Sequence, residues 1–338
     1  MINIRDLGLS VSWPKTDAVF FGHCPRNSVF AYEGQNIKIS TSIKYLGVII
    51  DKNWAFNAHV NYVAEKISKV NRALCAILPN LRGPVENKRR LYFSVATSIA
   101  LYAAPIWSEE FLASENKQRL MRRALRLSAL RTTMAYRTVS YEAATLLARV
   151  PPLHLYAEFL RRTYLRHRRM KENGTYNEVS APAVRQEEWD ALRDQWRTHV
   201  TRANLPGRRT REAIALSFDD WLDRSAGFLT YRITQFLTGH GCFGTYLNKI
   251  GKKDSPICRY CDSEEDTPEH TLEVCHFWAI ERGELTAVIG QDLSLRNIIA
   301  RICNSKERWN AFSVFVERVL QRKEEDERRR QQQTLDQG

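Results

Sequence analysis

Cys258-Arg259-Tyr260-Cys261, then eight residues, then His270, then four residues, then Cys275: this stretch decides how the far end of the chain folds. Two thiols separated by two residues put both sulfurs on one tight turn, within reach of a single ion. A later His and Cys, on a short helix or turn, complete a tetrahedron of soft and borderline ligands. That is the donor set of a structural zinc ion, closed at four ligands with no open position for chemistry. Pro256 before the first thiol and Asp262-Ser263 after the second supply turn chemistry where the chain must double back. Zn²⁺ is therefore expected at Cys258, Cys261, His270 and Cys275. His276 is a substitute ligand for Cys275 or His270, and small buried hydrophobes, which free cysteines often are, are the competing account.

Working outward, 338 residues with 43% hydrophobic content are enough for two or three units around sizeable cores. The remaining cysteines, Cys24, Cys75, Cys242 and Cys303, form no paired framework. With no signal-peptide pattern, a reducing, intracellular setting is expected for a soluble protein. No apolar run reaches the length of a membrane span; the best, Val95 to Trp107, is short and holds Pro105.

The formal charge is +13, and it is concentrated. From Lys117 to Lys171 there are fourteen Lys/Arg against two acids, Glu142 and Glu158. Solvated helix faces usually mix signs to gain i,i+4 pairs, and within this stretch the acids are missing. The field points to a polyanionic partner, with nucleic acid the commonest. Its candidate contacts are Arg119, Arg122, Arg123, Arg126, Arg161, Arg162, Arg166, Arg168 and Arg169.

Residues 17–50 read as strands: Asp17 to Phe21, Ser28 to Tyr32, a Glu33-Gly34-Gln35 turn into Ile37-Lys38-Ile39, and Lys44 to Ile50. Helical spacing follows. Val60, Val63, Ala64, Ile67, Val70, Leu74, Ile77 and Leu78 share one face up to Pro79. Further helices are expected over about 86–107 (kinked at Pro105), 114–130, 141–148 and 153–171, with Asn173-Gly174 as the stop. Trp189 and Trp196 suggest a packed helix, 211–223 another, and 295–319 a final amphipathic one. The tail beyond Gln321, balanced in charge and then Gln-rich, is expected to be a solvated helix that frays.

Taken in order, several stretches resemble one family. Leu7-Gly8-Leu9, Pro14-Lys15-Thr16 and Val19-Phe20-Phe21 are similar to the strand entry after the catalytic turn of reverse transcriptases, and Lys44-Tyr45-Leu46-Gly47-Val48 to their primer-grip hairpin. Tyr102 to Trp107 and Tyr136 to Ser140 resemble thumb helices of LINE-type (non-LTR) retrotransposon polymerases, particularly those of arthropods. Leu237 to Gly241, Phe243, Tyr246-Leu247 and the Cys/His stretch resemble their C-terminal domain.

The resemblance implies an α+β, mostly α chain: partial palm over 1–52, basic helical thumb over 53–174, helical connector over 175–240, CCHC knuckle over 241–290, and a C-terminal helix and charged tail over 291–338. It implies an RNA-directed DNA polymerase in which Lys15 lies near the incoming nucleotide and Tyr45, Leu46 and Gly47 press on the primer end. RNA and DNA, as template–primer or target, are the implied partners, in the nucleus or a cytoplasmic ribonucleoprotein. Lys15 as an ordinary surface lysine, and Tyr45 and Leu46 as an ordinary alternating strand, stand beside those roles. Two-metal phosphoryl transfer needs paired carboxylates, which the family carries upstream of the first motif found here. The one Asp pair, Asp219-Asp220, reads as helix-end electrostatics. The expectation is thus a C-terminal, 5′-truncated polymerase fragment that is inactive alone, with Mg²⁺ relevant only if the missing palm were present. A domesticated nucleic-acid-binding protein and a zinc-stapled protein-interaction module are the alternatives.

Overall fold

The computed structural model describes residues 8–22, 29–32, 34–262 and 264–336. Leu7, Cys24, Ser28, Glu33 and Ser263, singled out above, lie outside the described residues, as do the last two of the tail. The chain is mostly helical with two small sheets, an α+β fold weighted to α. Strands β1 (Ala18–Val19), β2 (Val29–Tyr32) and β3 (Gln35–Ser40) form a sheet in the order β1-β3-β2, the first pair parallel and the second antiparallel. Strands β4 (Ser42–Tyr45) and β5 (Val48–Asp51) form a separate hairpin. Its two turn residues, Leu46 (φ 45°) and Gly47 (φ 87°), both lie in the left-handed region, as a two-residue hairpin turn requires. The stretch from Lys44 to Ile50, a strand by its residue pattern, is two strands folded at Leu46-Gly47, the hairpin that the resemblance implied.

Helix α1 (Asn57–Ile77) buries Val60, Val63, Ala64 and Ile67, and Leu78 is buried just past its end, five of the eight residues its spacing selects. The expected helix over 86–107 is two: α2 (Glu86–Ala100) and α3 (Ala104–Leu112), meeting at 83°. The bend is made at Leu101 to Ala103, where Ala103 has φ 53°. Pro105 sits in the first turn of α3, where its missing N–H costs no hydrogen bond. Helix α4 (Glu115–Thr132) is capped by the Ser114 side chain, which accepts from the Lys117 N–H at 3.4 Å. Helices α5 (Tyr141–Ala148), α6 (Leu153–Glu172) and α7 (Ser180–Val200) follow. The expected 211–223 helix is split into α8 (Arg208–Ala215) and α9 (Phe218–Asp223), and then come α10 (Tyr231–Thr238) and α11 (Gly244–Lys249). No single helix among the described residues is long and apolar enough to cross a membrane.

Two hydrophobic cores result. The first joins β5, α1–α4 and parts of α5 and α6 around Phe56, Ile67, Phe93, Trp107, Phe111 and Leu125. The second joins α6–α10 to the C-terminal helices α12 (Ala279–Ile289), α13 (Leu295–Ile302) and α14 (Lys306–Asp336) around Trp196, Trp221, Phe236, Phe243, Trp278 and Phe312. Helix α5 is shared: Ala143 and Ala144 face the first core, Leu146 and Leu147 the second. The expected 295–319 helix is broken into α13 and α14. The charged end of α14 is helical as expected and exposed in part, but Lys323, Glu324 and Glu327 are buried against polar partners.

At the start of α6, His154 lies against His199 of α7, ring centroids 5.1 Å apart. Burial holds His154 down to about 3 and His199 to about 4, with neighbouring positive groups acting in the same direction. An imidazole kept neutral by the fold takes up a proton more readily when unfolded, so its contribution is complete above the unfolded value near 6.5 and declines as pH falls toward the folded one. Acidification from about pH 7 to about pH 5 should cost about 1–2 kcal/mol for each ring. Urea midpoints at the two pH values measure the loss. Replacing His199 by Phe should flatten the dependence; an unchanged slope would remove these rings as its cause.

Candidate metal centre and basic faces

The four ligand candidates converge. Their nearest donor atoms all lie within 4.8 Å of one another. The Cys258 and Cys275 sulfurs are 3.9 Å apart, close to the roughly 3.8 Å that a tetrahedral Zn²⁺ with Zn–S near 2.3 Å imposes. Cys261 Sγ is 3.2 Å from His270 Nε2.

Local structure explains the convergence. Ile257 pairs with Glu265, the Cys258 N–H donates to Glu264 O at 2.7 Å, and the Asp262 N–H donates back to Cys258 O at 2.8 Å. This closes a loop in which Asp262 takes φ 55°. On the other side, His270–Val274 is a single π-type turn, and the Cys275 N–H donates to His270 O at 2.8 Å. An i→i+5 turn returns to its starting side after five residues, where an α-helix does so after about four. His270 and Cys275 therefore face the same point.

The surroundings suit a cation held by thiolates. Cys258, Cys275 and His270 are buried. Burial pushes the Cys258 thiol up to about 12 and raises that of Cys275, so an incoming metal must displace protons. The Tyr260 and Cys261 amides favour the Cys258 thiolate, and the Phe277 amide that of Cys275. His270 Nδ1 lies 3.1 Å from Glu264 Oε2, a carboxylate that orients the ring with Nε2 toward the sulfurs. The residues present thus fit a four-coordinate structural ion. His276 is exposed and lies outside the cluster, which removes it as a substitute ligand.

The module is fastened to α14. Asp266 is buried in an ion pair with Lys323, and its other oxygen accepts from the Gly244 N–H at 2.9 Å. Lys323 lies over the Phe243 and Tyr260 rings at 5.2 and 5.3 Å. Tyr260 donates to Asp326 at 2.9 Å. Residues 241–290 carry nine acids and five bases, opposite in sign to the chain as a whole.

The basic residues separate into two groups. On α6, Arg161 pairs with Glu109 at 2.6 Å, Arg162 and Arg166 with Glu188 at 2.7 and 3.1 Å, Arg166 with Glu187 at 2.7 Å, and Arg168 with Glu172 at 2.9 Å. The acids missing from the local sequence come from α3, α7 and the end of α6 itself. On α4, Arg122 pairs with Glu115, and Arg126 donates to the carbonyls of Arg137 and Val139. Lys117 is buried against Ala55 O and Glu110 O.

Arg123 instead opens onto a groove of about 510 Å³ between α1 and α4, shared with Lys69 and Arg72. Lys66, Lys69 and Arg72 recur at i, i+3 and i+6 on the exposed side of α1. None of these three, nor Arg123, has a carboxylate partner among the described residues. Sequence reasoning passed over the α1 cations because they fall before the charge block; their signal was their place opposite the helix's apolar face.

Lys15 is exposed in a single 3₁₀ turn, Trp13–Lys15. Tyr45 and Leu46 are exposed at the hairpin tip, 60% and 75% accessible, and Tyr102 donates to Leu46 O at 2.9 Å. The structure does not bring Lys15 together with a carboxylate pair. Asp219 is held by Arg193 at 2.7 Å and by Arg197 at 2.5 Å, as an ordinary surface ion-pair network. Among the described residues, the Cys258/Cys261/His270/Cys275 cluster is the only gathering of three or more metal-ligating side chains.

No family profile matches the chain, and no solved structure does. Two curated proteins are similar along most of it. The 115 kDa protein in type-1 retrotransposable element R1DM of Drosophila melanogaster is 27% identical over 329 residues, 94% of this chain but 32% of that protein. The retrovirus-related Pol polyprotein from type-1 retrotransposable element R1 4 of Nasonia vitripennis is 27% identical over 312 residues, 86% of this chain and 74% of that protein. The chain thus spans about a third of the length of the Drosophila relative.

Proposed function

Because the chain is related to R1-type, non-LTR retrotransposon proteins over nearly its whole length, we propose that it is the nucleic-acid-holding part of such an element's RNA-directed DNA polymerase, a helical grip braced by a structural zinc module. The observation that carries this reading is the groove between α1 and α4. There Lys69, Arg72 and Arg123 have no carboxylate within ion-pair distance, although Glu65 also lines the groove, whereas Arg122, Arg161, Arg162, Arg166 and Arg168 are paired with carboxylates within the fold. Uncompensated cations along a groove attract phosphates and release their condensed counter-ions. The partner is template–primer or target nucleic acid, and the working location is the nucleus or a cytoplasmic ribonucleoprotein.

In this reading the zinc ion does structural work: held by Cys258, Cys261, His270 and Cys275, it fixes the turn that carries Asp266 and Tyr260 to α14. An acidic module is poorly suited to phosphate contact, and its likeness to nucleic-acid-binding knuckles is one of ligand spacing. Strand synthesis is not assigned to the described residues, where the one adjacent Asp pair, Asp219-Asp220, has Asp219 taken up by Arg193 and Arg197.

Binding of a labelled RNA–DNA duplex, followed by fluorescence anisotropy over a range of salt, tests the grip. The triple reversal Lys69→Glu, Arg72→Glu, Arg123→Glu should weaken binding at least tenfold and lower the salt slope by roughly 0.9 for each phosphate no longer neutralised. Reversing Arg161, Arg162 and Arg166 should do less. Equal affinity in the first triple and the parent chain would end the assignment.

A further inference from the structure

A second cavity lies on the other side of α1, behind the hairpin turn. It measures about 540 Å³, within the range of small-ligand sites, and is lined by Lys44, His59, Tyr62, Lys66, Ser98 and Tyr102. Its walls are aromatic and cationic, with aliphatic surface from Val63, Val95 and Ile99 between them. Lys44 Nζ donates to Tyr62 OH at 3.0 Å and lies 4.6 Å from that ring's centre. The Tyr102 ring rests on the turn, so close that a Cβ on Gly47 would come within 3.1 Å of it. Lys66 stands exposed at the rim.

His59 makes the cavity more than a surface dent. It is 1% exposed, and its Nδ1 accepts the Ile49 N–H at 3.3 Å. The neutral ring therefore carries its proton on Nε2, and that N–H is buried with no partner. Burial holds the imidazole down to about 4, so it remains a neutral donor near pH 7. Buried donors are nearly always satisfied, and this one, on a residue of the cavity wall but closed off as the ring stands, is met by an acceptor from outside only once the wall shifts slightly.

We propose that this cavity binds one nucleotide, its base against Tyr62 and Tyr102, an acceptor on it met by His59 Nε2, and its phosphate at Lys44 and Lys66. Flat aromatic faces beside lysines are the chemistry of sequence-tolerant base stacking. An apolar peptide would leave the two ammonium groups and the imidazole N–H without acceptors. The proposal rests on the reading that the chain grips nucleic acid, and it adds a site for an unpaired residue beside the duplex groove.

Anisotropy with the full chain tests it, using a blunt duplex, the same duplex with one unpaired nucleotide, and that overhang made abasic. The base-bearing overhang should bind about tenfold tighter than the blunt end, and the abasic one should lose most of that gain. Ser98→Trp, at an exposed position on the cavity lip, should abolish the preference and leave blunt-duplex affinity intact. Excess AMP that erases the preference would identify free nucleotide as the natural occupant; a preference that survives AMP would identify a strand end. Blunt duplex bound with no distinction between base and abasic overhang would overturn the cavity assignment alone. Failure to bind any duplex would remove the underlying grip and this site with it.

Discussion

Withdrawing zinc is expected to dismantle the segment from Gly244 to Trp278 and to loosen the last third of α14. The folding of such modules is coupled to an ion bound with about 10–16 kcal/mol. What remains without it is two buried thiols and a half-buried one, a buried imidazole and one π-type turn. The effect should travel, because Asp266, Tyr260 and Arg259 each contact α14, at Lys323, Asp326 and Glu327. One zinc per chain in the parent protein and none in the Cys258→Ser, Cys261→Ser variant is the expected metal content. Hydrogen exchange in the variant, or after chelation, should rise over 244–278 and from residue 323 onward, while α1–α4 keep their protection. Full protection of the module in metal-free protein would show that it folds on packing alone.

Loss of Glu86 should be nearly as damaging, although nothing about it suggests chemistry. Its carboxylate is fully buried, bound by Arg224 at 3.0 and 3.2 Å, by Arg149 at 3.2 Å and by the Leu229 N–H at 2.7 Å. It ties α2 in the first core to the α9–α10 connection in the second. Arg224, stacked 3.9 Å over Trp221, is pushed down to about 10 by burial, with Glu86 as the main opposing influence. Glu86→Ala leaves two buried guanidinium groups with no counter-charge, and breaking a buried pair this way costs about 3–5 kcal/mol. Glu86→Gln keeps the shape and should fall between. Denaturant midpoints decide the matter: a Glu86→Ala chain within about 1 kcal/mol of the parent would mean that water reaches the two arginines.

The two cases show what could be read from residues in order. Cysteines and histidines declare themselves by type and spacing, because few chemistries want that set together, and the four side chains that converge, a set that could hold a metal ion, were legible to the residue. Amphipathic helices were legible because an apolar face at a period of 3.6 needs a core. Breaks were harder. The elbow at Leu101 to Ala103 has no Gly and no Pro, and the visible Pro105 drew the kink past the elbow and into the first turn of the next helix. Ion pairs across long separations were invisible: the α6 arginines read as free because Glu187 and Glu188 lie on another helix. Glu86 marked no more than the start of an expected helix for the same reason, its partners Arg149 and Arg224 being 63 and 138 positions away. The charged run of α14 looked solvated because composition cannot reveal that Lys323 meets a buried Asp266. Polar residues signal burial only through their partners, and partners are a property of topology.

The π-type turn bears on how kin of this module should be sought. Since one supernumerary residue is absorbed between His270 and Cys275, a regular helix with a gap shorter by one would aim its imidazole and thiol along nearly the same directions. A search pattern that insists on a fixed interval would sort such cousins into separate lineages, though the same ion could sit in both. Insertions and deletions here are better weighed by where they send a side chain than by how many letters they add.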